Sequence, residues 1–190
     1  MFDFFIIHSY IMYEGIFLRR RIFMYLSMVV FEECLAEYHP RMTGHSDLIK
    51  IKFMGVQEAM EGQEYLPDHM LLEHVEYFVS HPVPAAWGCL CIGEPPEDLF
   101  KNNICLIFPE NTDRTSLYHD IQKIFFLYNS WEMEIRKAMQ RNATLEEMCN
   151  LCIPIFEKPI FIHDRNNELL AIANEMAGQF SWQYDETFDK

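Results

Sequence analysis

Apolar residues recur at alternating steps of four and three along residues 113–141: Leu117, Ile121, Ile124, Tyr128, Trp131, Ile135 and Ala138. That spacing is the a/d repeat of a coiled-coil seam and predicts one long helix. Asn111, Thr112 or Asp113 can cap its start. Glu132 and Arg136, four residues apart, add a surface ion pair worth roughly 0.2–0.5 kcal/mol. Phe125, Phe126 and Leu127 widen the apolar surface beyond a narrow seam, so part of the helix should also pack on a neighbouring domain. Such a helix is either the spine of one core or a connector between two modules that also dimerises. The connector, self-associating through Leu117, Ile121, Ile124, Tyr128, Trp131 and Ile135, is the expectation carried forward.

Upstream, the pattern changes period several times. Leu26, Val29, Val30, Leu35 and Tyr38 predict an amphipathic helix over 24–39, stopped by Pro40. Residues 41–47 are polar, contain Gly44 and predict a turn. Ile49, Ile51 and Phe53 alternate with Lys50 and Lys52, the period of a half-exposed strand. Residues 55–68 are mixed, with a turn at Glu61-Gly62. Val75, Tyr77 and Val79 alternate again and predict a strand ending before His81-Pro82. The continuous apolar runs at 87–92 (WGCLCI) and 104–108 (ICLIF) suit central strands covered on both faces. If those two are parallel, residues 97–100 have room for only a single helical turn between them.

Past the long helix, Thr144 and Glu147 form a capping-box pattern opening another helix. Leu145, Met148, Cys149 and Cys152 share a face of it, and Pro154 is expected to end or kink it. PIFIH and ELLAIA flank four polar turn residues, Asp164 to Asn167, and predict a hairpin. The fold class expected is therefore α/β. A small, mostly parallel sheet domain occupies 24–112, a connector helix 113–142, and the start of a second unit 143–190. Residues 1–23 are aromatic and apolar but broken by Asp3, His8 and Glu14. Their arginines, Arg19 to Arg21, follow the apolar run rather than precede it, which fits neither a signal peptide nor a span. They are expected to be an extension outside the fold, and residues 174–190 a frayed end.

Charge and cysteine usage narrow the function. A formal net charge of −14 repels phosphate backbones, so no direct grip on nucleic acid is expected. Cys34, Cys89, Cys91, Cys105, Cys149 and Cys152 lie mostly within apolar runs and read as reduced core thiols of a cytoplasmic protein. Cys89 and Cys91 share one face of a strand and could hold a metal or form a redox pair, yet both are also ordinary core residues. Cys149 and Cys152 have metal-ligand spacing, but zinc takes four ligands and no second close pair is visible. His69 and His74 are five apart, which misses the i,i+4 spacing of a helical zinc motif, and His163-Asp164 reads as a turn. No nucleophile elbow or phosphate-cradling glycine loop is present. No enzyme activity, metal or cofactor is expected. A small-molecule effector has a better case beyond the carboxyl ends of the two central strands, at Gly93, Glu94, Pro95, Glu110 and Asn111.

The order LCIGEPPEDLF, NNICLIFPENTD, a long helix bearing NSWEMEIRKAMQ, then TLEEMCNLCIPIFEKPIFIHDRNNELLAIAN resembles the amino-terminal part of bacterial transcriptional regulators of the purine-catabolism and sugar-diacid (PucR/CdaR-like) type. The resemblance covers roughly residues 24–174. It implies an N-terminal α/β module leading through a helix into a PAS- or GAF-like sensor domain, with a helix-turn-helix output domain closing the chain. Such a sensor domain needs on the order of 100 residues, and segment 159–190 is too short for one. What the resemblance implies here is a non-enzymatic sensory front end, truncated before the DNA-reading part. The other reading is an independent α/β thiol or metal-binding protein using Cys89 and Cys91.

Overall fold

A computed structural model describes residues 24–44, 49–156, 160–166 and 168–173; the expectations for residues 1–23 and 174–190 fall outside that range. The four parallel strands of the main sheet are β4 (Gly55–Glu58), β5 (His69–His74), β6 (Gly88–Ile92) and β7 (Ile104–Phe108), with β2 (Arg41–Gly44) antiparallel beside β7. The spatial order is β2-β7-β6-β5-β4. The chain is thus mixed α/β on a mostly parallel sheet, as expected from its two central apolar runs. Strand period divides the core in two. Met70, Leu72, Leu90, Ile92, Ile104, Leu106 and Phe108 face one way, and Leu71, Cys89, Cys91, Cys105 and Ile107 face the other.

Connectivity explains what covers each face. The three parallel connections, 59–68, 75–87 and 93–103, each step to the next strand in the same direction. Crossovers of a common right hand must then all lie over one face. That face is covered by their side chains: Ala59, Tyr65, Phe78, Val83, Leu99 and Phe100. The opposite face is left for α1 (Met28–Cys34) and α3 (Arg114–Gln140), which bring Phe31, Leu117, Ile121, Ile124 and Phe125. The 93–103 connection is a run of turns, with Leu99 N bonded to Pro96 O and Asn103 N to Phe100 O.

Several upstream elements differ from expectation. The helix expected over 24–39 shrinks to α1. Leu26 and Ser27 instead form a short strand β1 paired with β3 (Lys52–Phe53), and Ala36–Tyr38 tightens into a 3-10 turn. The expected turn at 41–47 contains β2, pairing Arg41 to Ile107 through Gly44 to Ile104. Gly44 has φ +121° and its missing Cβ would meet Asn103 O at 2.1 Å, so only glycine lets this edge approach. The expected strand at 75–79 is the helix α2 (Val75–Ser80), which buries Phe78 rather than the odd-numbered residues. The strand is the preceding run, β5, and β4 lies inside the stretch read as mixed.

The ends of α3 are fixed by its sequence. Asp113 Oδ1 accepts from Ser116 N at 2.8 Å, and the Ser116 side chain together with that backbone bond holds the Asp113 carboxyl below its ordinary range. At the other end Asn142 adopts φ 56°. Ala143 N bonds Ala138 O and Asn142 N bonds Met139 O, the paired bonds of a Schellman end. The helix between is unbroken over 27 residues, about 40 Å at 1.5 Å per residue. Beyond it, α4 (Leu145–Phe156) starts with the expected capping box. Thr144 N donates to Glu147 Oε2 at 3.0 Å and Glu147 N to Thr144 Oγ1 at 3.2 Å. Pro154 sits inside α4 instead of ending it. The hairpin β8 (Ile160–His163) and β9 (Leu169–Ala173) closes a small separate cluster with Cys149 and Ile153. Asp164 Oδ1 holds its turn by accepting from Asn166 N and Glu168 N.

α3 is tied to the segment after α1 by Tyr38, whose Oη donates to Asp120 Oδ2 at 2.6 Å. That bond, with burial, pushes the Tyr38 phenol up to about 12; Lys123 and then Tyr38 hold Asp120 down. An unfolded tyrosine titrates near ~10, so the folded state keeps this proton longer. The contribution is complete below that pH and is lost as pH rises toward the folded value. Urea midpoints at pH 9, 10.5 and 12 should fall more steeply for wild type than for Tyr38→Phe.

Candidate functional site

Gly93, Glu94, Pro95, Glu110 and Asn111 all lie at the carboxyl ends of the neighbouring strands β6 and β7. The chain leaves β6 over one face and β7 over the other, which is the condition for a crevice. Here the space is spanned by protein groups. Gly93, at φ +98°, donates its N–H to Phe108 O at 3.0 Å. The Arg41 guanidinium, entering β2 at the same end, pairs with the Glu94 carboxylate in an exposed bridge. Glu110 and Asn111 are exposed on the turn into α3. Two concavities of the structure are lined by other residues.

The one that touches the long helix runs along β4, the outermost parallel strand. It is a shallow, open concavity of about 490 Å³ lined by Val56, Gln57, Glu58, Met60, Gln63, Glu64, Leu66, His69 and Tyr118. Its lining comes from both sides of the sheet. Val56 belongs to the core on the α3 side, where Tyr118 also packs. Loop 59–66 forms the other wall and is held by Gln57, 9% exposed. The Gln57 Nε2 donates to Glu64 O at 3.0 Å, and Oε1 accepts from Leu66 N at 3.2 Å. One amide thus replaces two backbone partners that a helical crossover would have supplied. His69 packs its ring on Gly55, where a Cβ would come within 2.4 Å, and its Nδ1 lies 2.9 Å from Asp68 Oδ1.

Arg114, in the first turn of α3, joins this edge to the helix. Its guanidinium pairs with Glu73 at the end of β5, and reaches Glu58 at the end of β4 at 3.6 Å. None of these residues stood out in sequence. The available signal was the apolar run Met70-Leu71-Leu72 ending in Glu73, which has the same form as the runs that mark β6 and β7.

Three of the thiols lie side by side inside the sheet, whereas Cys34 is exposed on α1. Cys89, Cys91 and Cys105 are fully buried on one sheet face, with Cys89 in register with Cys105. Burial pushes the Cys89 and Cys105 thiols well up, which disfavours the thiolate that metal binding and exchange require. Burial likewise raises Cys149 and Cys152, the Trp131 indole beside Cys152 working against the shift. Among the described residues no group of three or more His, Cys, Asp or Glu could hold a metal ion. Nor is any helix there long and apolar enough to cross a membrane.

The expected dimer seam turns inward for most of its length. Leu117 and Ile121 are fully buried and Ile124 is 8% exposed, all in this chain's own core. Tyr128 packs against the same core, 6.3 Å from the Trp131 ring. Trp131 in turn meets Phe156 of α4 at 5.8 Å. Ile135 is half-buried and Ala138 buried. The heptad pattern is real, but its partners are the sheet for the first turns and α4 for the last. The face left open carries Phe126, 75% exposed, with Leu127 and Met133. No protein-family model matches the sequence, and no curated protein or solved structure matches it.

Proposed function

We propose that this chain is a non-enzymatic sensory and regulatory module of a transcriptional regulator of the purine-catabolism and sugar-diacid type. In this reading it acts in the cytoplasm, self-associates through α3, and leaves DNA recognition to another part of the regulator. The observation that carries the reading is the course of α3. One unbroken helix is rooted in the sheet's core by Leu117, Ile121 and Ile124 and carries α4 and the hairpin on its far half. A rigid element shared by two packed bodies transmits a displacement at one to the other. An effector reaching Gly93, Glu94, Pro95, Glu110 and Asn111 would press on the turn that leads into α3, where Thr112 N bonds Pro109 O. The segment from α4 through β9 is read as the beginning of a PAS- or GAF-like unit on the strength of its hairpin packed against one helix.

Self-association is assigned to the outer face of α3, since the predicted seam is spent within the chain. Sedimentation equilibrium should give a dimer mass for wild type. Phe126→Glu should give a monomer mass with an unchanged circular dichroism spectrum and urea midpoint. A wild-type monomer at tens of micromolar would overturn the dimer.

A further inference from the structure

We infer that the outer edge of β4 is a docking groove for an extended, basic segment of a partner protein, taken up as an additional strand. β4 ends the sheet, and among the described residues it pairs on one side only, with β5. An edge strand presents unpaired N–H and C=O groups along its free side, and proteins ordinarily blunt such edges with lysine, proline or a covering element. The β4 sequence, Gly-Val-Gln-Glu, has neither lysine nor proline. The groove described above follows this edge, with lining residues from both faces of the sheet. Tyr118 stands on one side and the loop carrying Gln63, Glu64 and Leu66 on the other. A channel with a strand edge for its floor and two side-chain walls takes an extended chain: backbone pairing supplies the affinity and alternate side chains meet opposite walls.

Charge selects the partner. Glu58 and Glu64 line the groove, which has no Lys or Arg, and Glu61 is exposed on the same loop. Arg114, a nearby cation, is already engaged by Glu73 and Glu58. A chain of net charge −14 strengthens the same field, which attracts basic segments and repels acidic ones. Met60 and Leu66, both about half exposed, offer apolar contact to the alternate side chains.

The probe is a fluorescein-labelled octapeptide of alternating arginine and valine, titrated with the whole protein and followed by anisotropy. Saturable binding is expected. It should weaken at least tenfold when alternate peptide amides are N-methylated, when glutamate replaces arginine in the peptide, and in the Glu64→Lys protein, whose substitution is on an exposed loop. Hydrogen exchange should show new protection of the amides of residues 55–58 in the complex. Absence of binding would overturn the proposal. So would equal binding of the N-methylated peptide, which marks charge attraction alone, or binding without protection at β4.

Discussion

Ile121→Ala is expected to lower folding stability by about 2–5 kcal/mol while leaving the subunit mass of the folded protein unchanged. Ile121 is fully buried between α3 and the sheet, in the cluster that holds Leu90, Leu106 and Phe108. Its removal leaves a cavity that the strands cannot close, because the pleat fixes their positions from the other face as well. A domain of this size has only about 5–15 kcal/mol in hand, so urea denaturation should show a large shift in midpoint. Sedimentation of the same variant discriminates two roles for one residue. As a seam residue between subunits, Ile121 would leave a stable monomer on truncation, and any concentration dependence of the wild-type stability would disappear in the variant. As a core residue, it should give a weaker protein with the wild-type association constant and no concentration dependence beyond that of wild type. Phe126→Glu should show the reverse pattern, so the pair of variants separates the two faces of one helix.

The a/d spacing was legible because the helix obeys it; its partner was not. A heptad seam records that one face of a helix is buried and is silent on whether a sheet, another helix or a second chain buries it. Leu117 through Ala138 therefore predicted α3 and its register but not which neighbour covers each part of it. The runs at β6 and β7 were legible because strands covered on both faces cannot alternate. β2 and β4 were not, since edge strands of four residues keep polar side chains and carry little period. Val75 to Val79 misled for a related reason: in six residues the periods of two and 3.6 overlap, and the burial of Phe78 decided for the helix. The candidate groove depends on Gln57, Arg114 and Tyr118, residues far apart in sequence that meet only because the strand order places β4 at the edge below the start of α3. No local pattern encodes that meeting.

Arg114→Gln is expected to destabilise the protein by about 1–3 kcal/mol, more than an exposed ion pair contributes. A cation in the first turn of a helix opposes the macrodipole, and at the start of α3 the Asp113 cap is what offsets it. Arg114 is held there by carboxylates from two strands. The Glu73 side chain is only 12% exposed and that of Glu58 31%, against 37% for Arg114 itself. The loss should stay below that of a fully buried pair, because water still reaches the guanidinium and screens it. Removing Arg114 leaves Glu73 charged, largely desolvated and short of its guanidinium partner, which is the costlier half of the change. A double-mutant cycle with Glu73→Gln measures this directly. Arg114→Gln should cost clearly less once Glu73 is neutral, giving a coupling of at least about 1 kcal/mol. Additive effects would mean that α3 is seated by its apolar face alone. Coupling would mean that the carboxyl ends of β4 and β5 are fastened to the first turn of α3. A strand docked along β4, competing for Glu58, would then loosen one of the two carboxylates that hold the root of the helix.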